Sequence, residues 1–148
     1  MSKKERAGIA KLFIRTEAHY IFSSKRKPGS SKSDRRLELI GGQLEAGESP
    51  RQALIREVQE EELSGTIAAK VKHQHPNWKR VDISRQKHFI FAIWIKEDDI
   101  NRLMHNEVES YGFSKVEEEI INEKDELRAS LSRFTPKTRK IFRALGLV

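Results

Sequence analysis

The sequence contains no cysteine. Disulfides, thiolate metal sites and cysteine nucleophiles are therefore excluded, and the composition fits a reducing, cytoplasmic setting. Nowhere does an apolar run approach the roughly 18 residues of a membrane-spanning helix, so no membrane partner is expected. The opening MSKKERAGIAKLF is charged and has no apolar signal-peptide core. Internal repeats and long low-complexity tracts are also absent. A chain of 148 residues with these features reads as one domain, 1–148, large enough to fold around its own core without a staple.

Charge is what the sequence has in quantity. Twenty-nine basic residues oppose 22 acidic ones, for a net +7, and the two signs are separated along the chain. Lys25–Arg36 (KRKPGSSKSDRR) holds six basic residues against Asp34 alone, and from Ser130 onward there are basic residues but no acid. Acids gather at 57–62, 97–99 and 107–126. This pattern favours a polyanionic partner, with the acidic cluster reserved for a cation; ordinary solubility is the competing reading of each patch.

Hydrophobic pattern and turn signals predict strands over Ile9–Arg15, His19–Ser23 and Leu37–Ile40, with a loop at 24–34. Ser49-Pro50 predicts a helix start, an N-cap followed by proline in the first turn, and the helix is expected to reach about Leu63 with Gly65 near its end. Thr66–Lys72 reads as a strand. Lys87–Lys96 (KHFIFAIWIK) reads as a strand apolar on both faces and central in a sheet, with His88, Phe89, Phe91 and Trp94 as core or pocket wall. A short helix is expected at 98–104, an edge strand at 108–113, a helix at 116–131, and a last helix from Thr135-Pro136 with Ile141, Phe142 and Leu145 inward. Mixed strands and helices at these spacings predict an α+β fold, a mixed sheet covered by helices.

The stretch GGQLEAGESPRQALIREVQEEEL (41–63) poses the functional question. Helical spacing puts Glu57, Glu60 and Glu61 within an arc of about 100°, while Leu54, Ile55 and Val58 form the neighbouring apolar face. Like charges three and four residues apart destabilise a helix by roughly a few tenths of a kcal/mol each. A hard divalent cation reverses that penalty, because oxygen-rich clusters are what magnesium and manganese bind. An acidic, solvated helix face is the alternative by spacing alone.

Gly42, Glu48, Arg56, Glu57, Val58, Glu60 and Glu61 fall in register with the pattern G-x5-E-x7-R-E-U-x-E-E-x-G-U, where U is a bulky aliphatic residue. The stretch resembles the motif of the Nudix (MutT-like) hydrolase family. LELIGG before it, and SYGFSKVEEEI and TPKTRKIFRAL after it, resemble flanking family segments. Leu63 and Ser64 depart from the closing glycine and aliphatic, and Ile40 stands where proline is common; these changes touch helix termination and loop shape, not the charged positions.

The resemblance implies an α/β/α sandwich and a hydrolase that cleaves a diphosphate bond with Mg2+ or Mn2+. It implies Glu57, Glu60, Glu61 and the Gly41 carbonyl as metal ligands, and Glu48 and Arg56 as the residues that hold loop and carboxylates in place. It implies Glu61 as the first choice of general base, with Glu109 or Glu107 second. Arg26 and Arg36 of the basic stretch, and Trp78 in HQHPNWK, are candidates for gripping substrate, Trp78 by stacking on a base. No marker selects a subfamily, so the expected substrate is a nucleoside triphosphate or related nucleotide; an RNA 5′ end is the alternative favoured by the basic charge, and a non-catalytic nucleotide sensor is the third reading. Monomer and homodimer stay open.

Overall fold

A computed structural model describes residues 8–17, 20–26, 36–103, 115–121 and 131–148. Among the described residues seven strands form one sheet: β1 (Ile9–Arg15), β2 (Tyr20–Arg26), β3 (Arg36–Glu38), β4 (Ile40–Gln43), β5 (Trp78–Ile83), β6 (Gln86–Trp94) and β7 (Lys115–Ile121). Helices α1 (Pro50–Glu61) and α2 (Thr66–Gln74) follow β4, and α3 (Pro136–Ala144) follows β7. The sheet runs β3-β2-β1-β6-β5, with β4 also on β1 and β7 also on β2. It is mixed: β1 and β6 are parallel, and the other pairs are antiparallel.

Strand β1 has three partners, and this positions the site. It pairs with β2 only at Ile14 and Arg15, and with β4 from Ile9 to Leu12. The 36–43 segment thus meets β2 through β3 and then β1 through β4, carrying Gly41 and Gly42 to the N-terminal half of β1. Period-two alternation sends Ala10, Leu12 and Ile14 to one face with Leu54 and Val58 of α1 and Ile67, Ala68 and Val71 of α2. Phe13, Ile90, Phe22 and Tyr20 face the other way, against Phe134, Ile141 and Phe142. Their rings pack edge to face, Phe22–Phe134 at 4.8 Å and Phe134–Phe142 at 5.0 Å between centroids. The result is the expected helix–sheet–helix sandwich.

Several elements differ from expectation. Thr66–Lys72 is helical, not extended. Its β-branched residues suggest a strand, but Ile67, Ala68 and Val71 fall on one helical face over the core, and packing overrides that weak preference. Gly65, left-handed at φ 81°, begins α2 instead of ending α1, which stops at Glu61. Residues 116–121 of the expected 116–131 helix lie in β7, because pairing along all of β2 from Tyr20–Ile121 to Arg26–Lys115 outweighs the helical preference of a glutamate-rich run. β5 lies where a connection was expected: Val81 and Ile83 alternate inward, and the turn to β6 uses Ser84 and Arg85 at positive φ without the glycine or asparagine that usually marks it. The short helix near 98–104 is a 3-10 helix over Glu97–Arg102. The strand expected at 108–113 lies outside the described residues.

Candidate active site

The loop and helix at 41–61 are held by a network centred on Arg56. Its Nε donates to Glu48 Oε2 at 2.8 Å and its Nη2 to Glu48 Oε1 at 3.0 Å, a two-pronged pairing that a flexible ammonium does not reproduce. Nη2 also donates to the Gln43 carbonyl, and Nη1 to Glu57 Oε1, each at 3.0 Å. Arg56 therefore ties β4, the 44–49 loop and α1 into one unit. The guanidinium hydrogen bond holds the Glu48 carboxyl below its ordinary value, and Glu48 in turn pushes the Arg56 pKa upward. Glu48 Oε1 also accepts the Glu45 N–H at 2.7 Å, which fixes the loop. The helix begins as its sequence specifies: Ser49 Oγ accepts the Gln52 N–H, and Gln52 Oε1 accepts the Ser49 N–H.

Each glycine of the pair has its own steric requirement. Gly41 has φ 142°, and a Cβ there would lie 2.0 Å from the Ala10 carbonyl oxygen, which β1–β4 pairing forbids. A Cβ on Gly42 would lie 2.5 Å from the Glu57 carboxylate, so Gly42 is the hollow into which Glu57 folds. The Gly41 N–H donates to buried Glu61 Oε2 at 3.0 Å, tying the diglycine to the end of α1.

The four clustered glutamates separate by role. Glu57 lies on Arg56, Glu61 is turned inward to Gly41, and Glu60 is 57% exposed and 3.6 Å from Arg56. Glu62 is buried and accepts the Ser64 and Ile67 N–H groups at 2.9 and 3.2 Å, so it joins the end of α1 to the first turn of α2. Among the described residues no three Asp, Glu or His side chains converge as a ready-made metal site.

On the opposite side of β4 is a cavity of about 480 Å³. Ile9, Leu39, Pro136 and Ile141 give it apolar walls, and Lys11, His88 and Lys137 line it with Gly42 and Gln43. Gly42 and Gln43 also contact Glu57 and Arg56, so the cavity and the acidic helix share a wall. Sequence reading placed His88 as core or pocket wall but assigned no role to Lys11; only β1–β6 pairing puts the two on one face.

The other expected site residues lie apart. Trp78 is 46% exposed, stacks edge to face on Phe89, and lines a separate cavity of about 390 Å³ with Phe13, Leu145 and Leu147. Trp94, expected in the core or a pocket wall, is 54% exposed and covers the Arg15 guanidinium at 4.4 Å, because it falls at the end of β6. Arg26 and Arg36 end β2 and begin β3 by backbone, and their side chains lie outside the described ones. Glu107 and Glu109 lie outside the described residues.

A model of the NUDIX domain matches residues 5–138. This chain belongs to the NUDIX domain family. A 53-residue segment is 43% identical to the 8-oxo-dGTP diphosphatase of Escherichia coli K12, covering 36% of this chain and 40% of that protein. Among solved structures, a bifunctional NMN adenylyltransferase/ADP ribose pyrophosphatase of Francisella tularensis, complexed with AMP and a Mn ion, matches with a TM-score of 0.64 and 17% identity over 98% of this NUDIX chain and 42% of its own. A NUDIX-family hydrolase from Clostridium perfringens matches with a TM-score of 0.54 and 13% identity over 96% of both chains. These likenesses show the NUDIX fold of the whole domain.

Proposed function

We propose that this NUDIX domain is a divalent-metal-dependent hydrolase that cleaves the diphosphate bond of a nucleotide, with a nucleoside triphosphate as substrate. The carrying observation is the Arg56 network, which fastens Glu48, Glu57 and the Gln43 carbonyl together beside Gly42, while Glu61 reaches the Gly41 N–H. An inert acidic surface has no use for so many fixed contacts. The donors suit Mg2+ or Mn2+, since Glu57, Glu60, Glu61 and the Gly41 carbonyl offer only hard oxygens. The hollow at Gly42 that a Cβ would fill keeps the Glu57 carboxylate against the loop. Glu57, Glu60 and Glu61 share one helix face, so side-chain rotation is what gathers them.

A bound divalent ion supplies neutralisation of the diphosphate charge and a lowered pKa for water. The protein residues supply position. Arg56 and Glu48 hold the loop against α1, and Gly42 leaves the Glu57 carboxylate room beside the backbone. Glu61 takes the proton of the attacking water, which adds to phosphorus as the bridging P–O bond breaks. The apolar walls of the neighbouring cavity suit a nucleoside. The Escherichia coli relative, named for 8-oxo-dGTP, and the Francisella structure with AMP and Mn favour a nucleotide and a divalent ion.

The test is release of phosphate or pyrophosphate from a panel of nucleoside triphosphates with and without Mg2+. Turnover is expected only with metal, and Glu60→Gln and Glu61→Gln are expected to lower kcat by at least about a hundredfold. Equal turnover by wild type and both variants rejects the assignment.

A further inference from the structure

The cavity behind β4 has a polar pair whose hydrogen-bonding directions are opposite. In the parallel β1–β6 ladder Ile9 stands opposite His88, and Lys11 lies one period further along β1 on the same face. His88 is 1% exposed overall yet lines the cavity. Its Nδ1 lies 3.1 Å from the Gln86 carbonyl, which can only accept, so Nδ1 carries the proton and Nε2 of the neutral ring has a lone pair. Burial holds the His88 pKa below its ordinary value, keeping the ring neutral at physiological pH. Lys11 is donor only. Among the described residues its Nζ donates to the Leu39 carbonyl at 3.1 Å, and an ammonium has three N–H groups to give. Lys137, the other cation of the wall, donates to Gln86 Oε1 at 3.0 Å.

We infer that Lys11 and His88 read the nucleobase in this cavity, and that they favour bases with a carbonyl oxygen beside a ring N–H (guanine, hypoxanthine, uracil) over adenine and cytosine. The inference rests on the nucleotide reading of the site and extends it to the base. A lactam edge meets the pair with its strongest groups: the carbonyl oxygen accepts from the ammonium, and the acidic ring N–H donates to Nε2. Adenine and cytosine offer a weaker amino donor for Nε2. In the orientation that suits a lactam, they set an amino group against the ammonium, donor against donor. Leaving a buried donor or acceptor unmet gives strong discrimination. Apolar Ile9, Leu39 and Ile141 enclose the ring.

The experiment compares kcat/KM of wild type, Lys11→Met and His88→Phe for GTP, ATP, UTP and CTP. Wild type is expected to favour GTP over ATP and UTP over CTP by at least about tenfold. Each variant is expected to bring these ratios toward one, mainly through a rise in KM for GTP and UTP. Equal use of all four triphosphates by wild type, or unchanged ratios in both variants, overturns the inference. Thermal melting establishes folding, and Lys11→Met decides alone if His88→Phe does not fold. Equilibrium binding of GMP and AMP is measured in parallel. A GMP preference lost in Lys11→Met sustains the base-reading pair even where no triphosphate is cleaved, an outcome that would reject only the hydrolase reading; equal binding of GMP and AMP counts against the pair.

Discussion

Arg56 and Gly42 show how much one residue's covalent structure decides. The planar guanidinium makes two parallel bonds to Glu48 while reaching Glu57 and the Gln43 carbonyl, an arrangement set by its fork. Gly42 contributes the absence of a side chain. A Gly42→Ala change puts a methyl 2.5 Å from the Glu57 carboxylate, which must then leave its place. Turnover is expected to fall by about a hundredfold, the scale of a misplacement near 1 Å, with the melting temperature within a few degrees of wild type. Activity and melting measured on the same preparation check this. Both positions were marked by the family resemblance, whose pattern fixes residue types at offsets that a helix and loop convert into contacts. What Gly42 makes room for was not legible: the clash is with a residue 15 positions away, across the loop.

Among elements, α2 is the instructive case. Its local sequence fits a strand, and its helical state depends on the packing of Ile67, Ala68 and Val71 and on Glu62, whose carboxylate takes an N–H of its first turn. Glu62→Ala is expected to cost about 1–2 kcal/mol in denaturant unfolding while leaving Mn2+ affinity within about twofold of wild type, whereas Glu60→Gln is expected to do the reverse. A metal titration alongside urea unfolding separates the two roles. The 3-10 helix at Glu97–Arg102 gives a pH-dependent element. Buried Asp99 Oδ2 accepts the Lys96 N–H at 2.9 Å and lies 3.5 Å from Lys70 Nζ. That backbone bond, aided by Lys70, holds the Asp99 pKa below 3.8 despite burial. Asp99 therefore adds stability that is fully present above 3.8 and is lost as pH falls through its lower folded value. The melting-temperature gap between wild type and Asp99→Asn is expected to be constant near neutral pH and to close only in acid below 3.8.

At the scale of the molecule, the two sheet faces carry different cores. Aliphatic side chains dominate beneath α1 and α2, whereas Phe13, Phe22, Phe134 and Phe142 form an edge-to-face cluster beneath α3. Phe142→Ala removes a fully buried ring from that cluster and is expected to cost about 3–5 kcal/mol in unfolding free energy. Because α3 also supplies Pro136, Lys137 and Ile141 to the cavity, the same change is expected to raise KM for nucleotide more than it lowers kcat. Steady-state kinetics below the melting transition check that division. Loosening α3 opens the cavity, while Arg56 and its partners on the other side of β4 keep their contacts.

The sequence by itself determined the loop–helix unit at 41–61, the central place of β6 and the start of α3, because each is encoded by short-range spacing, caps or unbroken apolar runs. Tertiary structure decided the rest. It made α2 a helix and β7 a strand, since the partners that stabilise them lie far along the chain. It gave Glu62 its partners at the start of α2, and put Trp78 on another cavity. It also brought Lys11 and His88 to one wall behind the diglycine, a juxtaposition set by the parallel register of β1 and β6 that neither strand's sequence contains.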